Sequence, residues 1–110
     1  SLILKQDVMN NNEMITLEGF ENAFIGFTEK NLKTFIAIYD RNKLIEIVMK
    51  NKQLDQEKAI EWFEKYVDEE LMGDDTPLIL FPMGYEKYLD LAKYLKEIRG
   101  HTEHQNDNYN

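Results

Sequence analysis

The sequence predicts an α+β domain: a small sheet of three or four strands with about three helices packed on it, in the order β-β-α-α-β-α. Three observations predict it. Two short runs rich in aromatic and β-branched residues come early, at residues 23–27 and 35–39. Two stretches with apolar residues at helical spacing follow, each opened by an aspartate. A third apolar run, Leu78, Ile79, Leu80 and Phe81, is closed by Pro82 and leads into a last helical pattern.

The two early runs read as strands, joined by the polar residues 28–33 as a hairpin with a long loop. Phe35, Ile36, Ala37, Ile38 and Tyr39 are apolar on both faces, so the second strand should be central. Residues 14–17 offer a further short strand. Asp40 ends the central strand and can cap a helix carrying Leu44, Ile45, Ile47, Val48 and Met49, with Glu46 and Lys50 as an i,i+4 pair. Residues 51–53 break it. Asp55 caps a second helix, and Leu54 and Ala59 are placed as a hydrophobic staple around that cap.

Ile60, Phe63, Val67 and Leu71 give the second helix a buried stripe, and it stops near Gly73. Thr76 before Pro77 excludes helix there. The last helix is expected over about residues 85–99, with Tyr85, Tyr88, Leu91, Ala92, Leu95 and Ile98 inward and Gly100 as its stop. Residues 1–13 read as a loose arm, 14–100 as one domain and 101–110 as a disordered tail. Ser1 and Leu2 read as an expression remnant and carry no functional weight.

Composition removes several kinds of chemistry. The 110 residues include no cysteine, so disulfides, thiolate metal sites and thiol catalysis are excluded, and a reducing cytoplasm suits the chain. Ser1 is the sole serine, so a serine triad is excluded. The glycines at 19, 26, 73, 84 and 100 are isolated and make no phosphate loop. His101 and His104 fall in the expected tail, where a packed general base has no support. A net charge of −8 disfavours direct nucleic-acid and anionic-membrane binding. No apolar run approaches the roughly 20 residues that span a bilayer.

The charge is uneven. Residues 55–75 hold nine acids and two lysines, whereas residues 40–54 hold four basic and two acidic residues. Glu57, Glu61, Glu64 and Asp68 line one stripe of the second helix, opposite Ile60, Phe63 and Val67. A solvated outer face is the simplest account of that stripe; a negative surface for a basic partner is the functional one. A second candidate, for a small ligand, joins Tyr39 and Asp40 at a strand-to-helix junction with Gly73 and Thr76 at a turn. Asp74 and Asp75 read as turn residues, and Glu18 and Glu21 as acids without a specified geometry. Tyr85 and Tyr88 belong to the core stripe of the last helix, or to a self-association face if that helix is exposed. No catalytic residue, metal ligand or cofactor is assigned.

Residues 18–26 (Glu-Gly-Phe-Glu-Asn-Ala-Phe-Ile-Gly) are followed by Ala37, Ile38, Tyr39, Asp40 and Lys43, then by Ile45, Glu46, Ile47, Val48 and Met49. Ala59, Ile60, Glu61, Trp62, Phe63 and Glu64 continue the series, which closes on Gly73, Thr76, Pro77, Leu78 and Ile79. In order and spacing this stretch resembles a family of small bacteriophage- and prophage-encoded proteins of uncharacterised activity. The chain departs from the family's pattern at Tyr66, where an Asn is usual, at residues 68–70, where small residues are usual, and in the helix after Pro82. The resemblance implies a phage or prophage setting in the cytoplasm of a bacterial host, and no catalytic residue carries over. The expected function is a non-enzymatic module that binds a protein, a basic host protein being the special case. A small-ligand site at the two turns and a self-associating homo-oligomer are the alternatives.

Overall fold

Seven residues, Thr34–Asp40, organise the sheet as strand β4. Their aromatic and β-branched side chains suit extended backbone. The computed structural model describes residues 2–9 and 12–105. The chain runs β1 (Leu4–Met9), β2 (Asn12–Leu17), a 3-10 turn (Glu21–Ala23), β3 (Phe24–Glu29), β4, α1 (Arg41–Lys52), α2 (Gln56–Glu70), β5 (Leu78–Leu80) and α3 (Tyr85–Gln105). The protein is α+β, with a mixed sheet of five strands and three helices.

β4 has three partners. β3 lies antiparallel along one edge, from Phe24 opposite Tyr39 to Glu29 opposite Phe35. The other edge is shared end to end. β2 runs parallel to its first half, with Glu13, Met14 and Ile15 opposite Thr34, Phe35 and Ile36. β5 runs parallel to its second half, with Leu78, Ile79 and Leu80 opposite Ile38, Tyr39 and Asp40. β1 flanks β2 as an antiparallel neighbour. The β3 register slips between Phe24 and Gly26, and Gly26 takes the slip at φ +152, a backbone region closed to most side chains.

Residues paired across strands share a face, so the register sorts the sheet into two sides. One side carries Met14, Phe24, Phe27, Phe35, Ala37 and Tyr39. There α1 and α2 add Leu44, Ile45, Val48, Ala59 and Phe63 to a buried cluster with Leu17, Phe20, Ala23, Ala37 and Tyr39. The other side carries Ile15, Ile36 and Ile38, with Leu78 and Leu80 beside them. Ile36 is buried but lies outside the cluster, and Leu78 and Leu80 are about half exposed. The helices therefore pack on one side of the sheet, while the other side holds the buried Ile36 outside the cluster and leaves Leu78 and Leu80 about half exposed.

The helix caps form as their sequence signals require. The Asp40 carboxylate accepts the Lys43 N–H at 3.1 Å, and the Asp55 carboxylate accepts the Lys58 N–H at 2.9 Å. Gln53 ends α1 in a left-handed conformation (φ 54) and donates its N–H to the Met49 carbonyl. Leu54 is partly buried against the core and Ala59 is fully buried, as a staple requires.

Four expectations are corrected. Residues 4–9, placed in a loose arm, form β1, because they find an antiparallel partner in β2. Leu2 is a core residue, 7% exposed, and donates its N–H to the Glu70 carboxylate at 2.7 Å. Gly100 does not stop the last helix, which continues to Gln105 through the start of the expected tail; residues 106–110 lie outside the described ones. The third helix is not packed on the sheet. Tyr85, Tyr88, Leu91 and Leu95, read as its inward face, are all exposed. The physical reason is that α1 and α2 already cover the buried cluster, to which no residue of α3 belongs. The radius of gyration is accordingly 17.1 Å, against roughly 13 Å for a compact chain of this length.

Phe63→Ala should cost about 3–5 kcal/mol in urea unfolding, because it empties the centre of the α2 contact. Gln53→Gly should raise stability by about 1 kcal/mol, since glycine removes the left-handed penalty at the end of α1.

Candidate functional site

A groove lies on the side of the sheet that carries Met14, Phe24 and Tyr39. Lys5 and Asp7 of β1, Met14, Thr16 and Leu17 of β2, and Phe24 of β3 line it with Glu18, Glu21 and Tyr39. Its volume is about 280 Å³. Alternation along β1 and β2 brings Lys5 opposite Thr16 and Asp7 opposite Met14, so all four point to one side. The Thr16 hydroxyl donates to the Asp7 carboxylate at 2.9 Å, and the Lys5 ammonium lies 3.6 Å from the same group. Three carboxylates and one ammonium therefore surround an apolar floor.

Tyr39 closes that floor. It is 1% exposed, its ring meets Phe24 edge-on at 5.6 Å, and its phenol oxygen accepts the Leu17 N–H at 2.8 Å. Burial pushes the phenol pKa above its usual 10.0; the Leu17 N–H pulls it back, and the Glu21 and Asp7 carboxylates push it further up.

The residues expected to form a turn-based ligand site do not come together. Tyr39 and Asp40 lie at the end of β4, where Asp40 is occupied as the α1 cap. Gly73 and Thr76 lie toward the opposite end of the sheet. Neighbouring Asp75 pairs with Lys30 at 2.5 Å, and the Lys30 N–H bonds to the Thr34 carbonyl at the start of β4. The Thr76 hydroxyl donates to the Leu71 and Gly73 carbonyls at 3.2 and 2.8 Å, which makes it a turn brace. Of this set, the groove takes in only Tyr39.

The acidic stripe does assemble. Glu57, Glu61, Glu64 and Asp68 all lie exposed along α2. Glu64 is held by the Arg41 guanidinium at 3.1 Å, and that guanidinium also sits 4.8 Å from the Phe81 ring centre. The stripe thus presents Glu57, Glu61 and Asp68 with Glu64 partly neutralised. On α3 a second surface runs through Tyr85, Tyr88, Leu91, Tyr94 and Leu95, every one of them exposed.

The groove escaped the sequence reading because it needs β1. The signal was present: Asn10 and Asn11, a pair that favours turns, stand between Val8, Met9 and Met14, Ile15. Among the described residues no group of three or more His, Asp or Glu side chains is placed to hold a metal ion, and no helix is long and apolar enough to cross a membrane. No protein-family model matches this chain, and no curated protein or solved structure matches it either.

The raised Tyr39 pKa has a fixed sign. The folded state favours the neutral phenol, so its contribution is complete below the unfolded value of 10.0 and is lost as pH rises through the higher folded value. The urea midpoint should therefore fall more steeply above pH 10.0 in the natural chain than in Tyr39→Phe.

Proposed function

We propose that this chain is a non-enzymatic protein-binding module, a phage or prophage accessory protein of the kind its sequence resembles, and that α3 is its docking helix. The supporting observation is the exposure of large apolar side chains along one helix: Leu91 at 39%, Leu95 at 43%, Tyr88 at 52% and Tyr85 at 73%. Each square ångström of apolar surface left in water forgoes about 25 cal/mol. Contiguous apolar patches of several hundred Å² on a folded surface mark interaction sites. An amphipathic helix presents such a patch at i, i+3 and i+4 anchors, and Tyr88, Leu91 and Leu95 have that spacing.

The exposed acids of α2 favour a basic partner as the second reading. Charges on an exposed rim steer encounter and set specificity more than they hold the complex. The α3 side chains would then supply residence time, and Glu57, Glu61 and Asp68 the rate of approach.

Capture of partner proteins from a bacterial lysate by the tagged chain tests the reading. The double variant Leu91→Glu/Leu95→Glu should lose the captured protein while its circular dichroism and thermal midpoint stay unchanged, because α3 is not part of the core. Capture of the same proteins by both chains would remove α3 as the docking element. The triple reversal Glu57→Lys/Glu61→Lys/Asp68→Lys should slow association several-fold at low salt and little at high salt.

A further inference from the structure

We infer that the groove lined by β1, β2 and β3 binds a small organic ammonium with an aromatic body, its charge at Glu18 and Glu21 and its body on Met14 and Phe24. The inference goes beyond the docking reading of α3 and uses no residue of that helix.

The floor sets the body. Met14 and Phe24 face the same side of the sheet as Tyr39, and Leu17 completes the apolar lining. Phe24 is 37% exposed, so the groove offers a ring for an apolar body to cover. An exposed ring and a thioether both favour aromatic guests. The volume of about 280 Å³ lies at the low end of ligand pockets. Liquid water takes roughly 30 Å³ per molecule, so the space suits a ligand of on the order of ten non-hydrogen atoms. A standard protein interface covers about 800 Å² per partner, far more than a groove of that volume presents. The size therefore favours a free small molecule over a protein surface.

The rim sets the charge. The Lys5 ammonium lies 3.6 Å from the Asp7 carboxylate, which also accepts the Thr16 hydroxyl, so those charges answer each other. Glu18 and Glu21 differ. Both are exposed, and among the described residues neither carboxylate takes a hydrogen bond or an ion pair. They stand on one turn, which Gly19 shapes at φ +88. The Glu21 charge reaches the floor, where it helps to raise the Tyr39 phenol pKa. Two uncompensated negative charges beside an apolar floor complement a cation joined to an apolar body. An anion would be repelled there, and a neutral ligand would leave both carboxylates without a partner. A concavity of similar volume, about 290 Å³, lies along α1 at Lys43, Glu46, Ile47 and Lys50, with Asn22. Ile47 is its one apolar side chain, so it has no floor for such a body.

The probe is protonated phenethylamine, titrated into the full-length chain at neutral pH and followed by its backbone amide NMR signals. The shifts should centre on Leu17, Glu18 and Phe24, with a Kd on the order of 100 μM. Phenethyl alcohol, which has the same shape without the charge, should bind about five-fold more weakly, and phenylacetate more weakly still. The double variant Glu18→Gln/Glu21→Gln should weaken phenethylamine about five-fold, leave phenethyl alcohol as it was and keep the circular dichroism of the natural chain, because both side chains are exposed. Acetyl-lysine amide carries the same charge on a piece of peptide and should bind more weakly than phenethylamine; tighter binding would give the groove to a basic segment of a protein and overturn the small-ligand assignment. Equal binding of the amine and the alcohol, or of the amine by both chains, would overturn the role of the two carboxylates. Shifts centred elsewhere, or none up to about 10 mM amine, would overturn the site itself.

Discussion

One hydrogen bond decides how this sheet can be built. The Tyr39 phenol accepts the N–H of Leu17 at 2.8 Å in the buried interior. The need for it arises from the edge of β4, which serves two strands in turn. β2 occupies the edge opposite Thr34, Phe35 and Ile36, and β5 occupies it opposite Ile38, Tyr39 and Asp40. β2 must leave the ladder after Ile15, because Leu78 already holds the place beside Ile38. The Leu17 N–H is then buried without a strand partner, a loss worth about 1–3 kcal/mol if nothing replaced it. The phenol replaces it and fixes the angle at which β2 departs.

The rest of the architecture follows from that fork. With β2 held against Tyr39, Leu17 enters the same cluster as Leu44, Val48 and Phe63, and the helices have one continuous surface to cover. Residues of β1, β2 and β3 line the groove around Phe24 and Tyr39. Asp40, one residue after Tyr39, caps α1, so the strand that anchors the fork also starts the helix. Two helices suffice for one side of so narrow a sheet. The third has no place there, and its apolar residues stay exposed to water.

Local signals were legible in the sequence and distant ones were not. Asp40 and Asp55 act through backbone three residues away, so their caps could be read from spacing alone. The central position of β4 showed in its unbroken apolar run. The acidic stripe of α2 is a matter of helical period, and it lies where the period puts it. β1 was missed because its register depends on pairing with β2 rather than on its own mixed composition, in which Lys5, Gln6 and Asp7 interrupt the apolar residues. For α3 the period was right and the partner was wrong: spacing reports that a helix has an apolar face, not what covers it. The turn-based site failed for a related reason. Parallel pairing of β5 with the end of β4 carries Gly73 and Thr76 toward the far end of the sheet from Asp40, and no local pattern encodes that direction.

The Tyr39 fork is tested most directly by amide hydrogen exchange in Tyr39→Phe. The variant keeps the ring against Phe24 and removes only the phenol oxygen. Protection of the Leu17 amide should drop by at least ten-fold, while the Ala37 and Ile38 amides, which belong to the ladder itself, keep most of theirs. A Leu17 amide as protected in Tyr39→Phe as in the natural chain would show that β2 is held by other contacts and that the fork does not depend on the phenol.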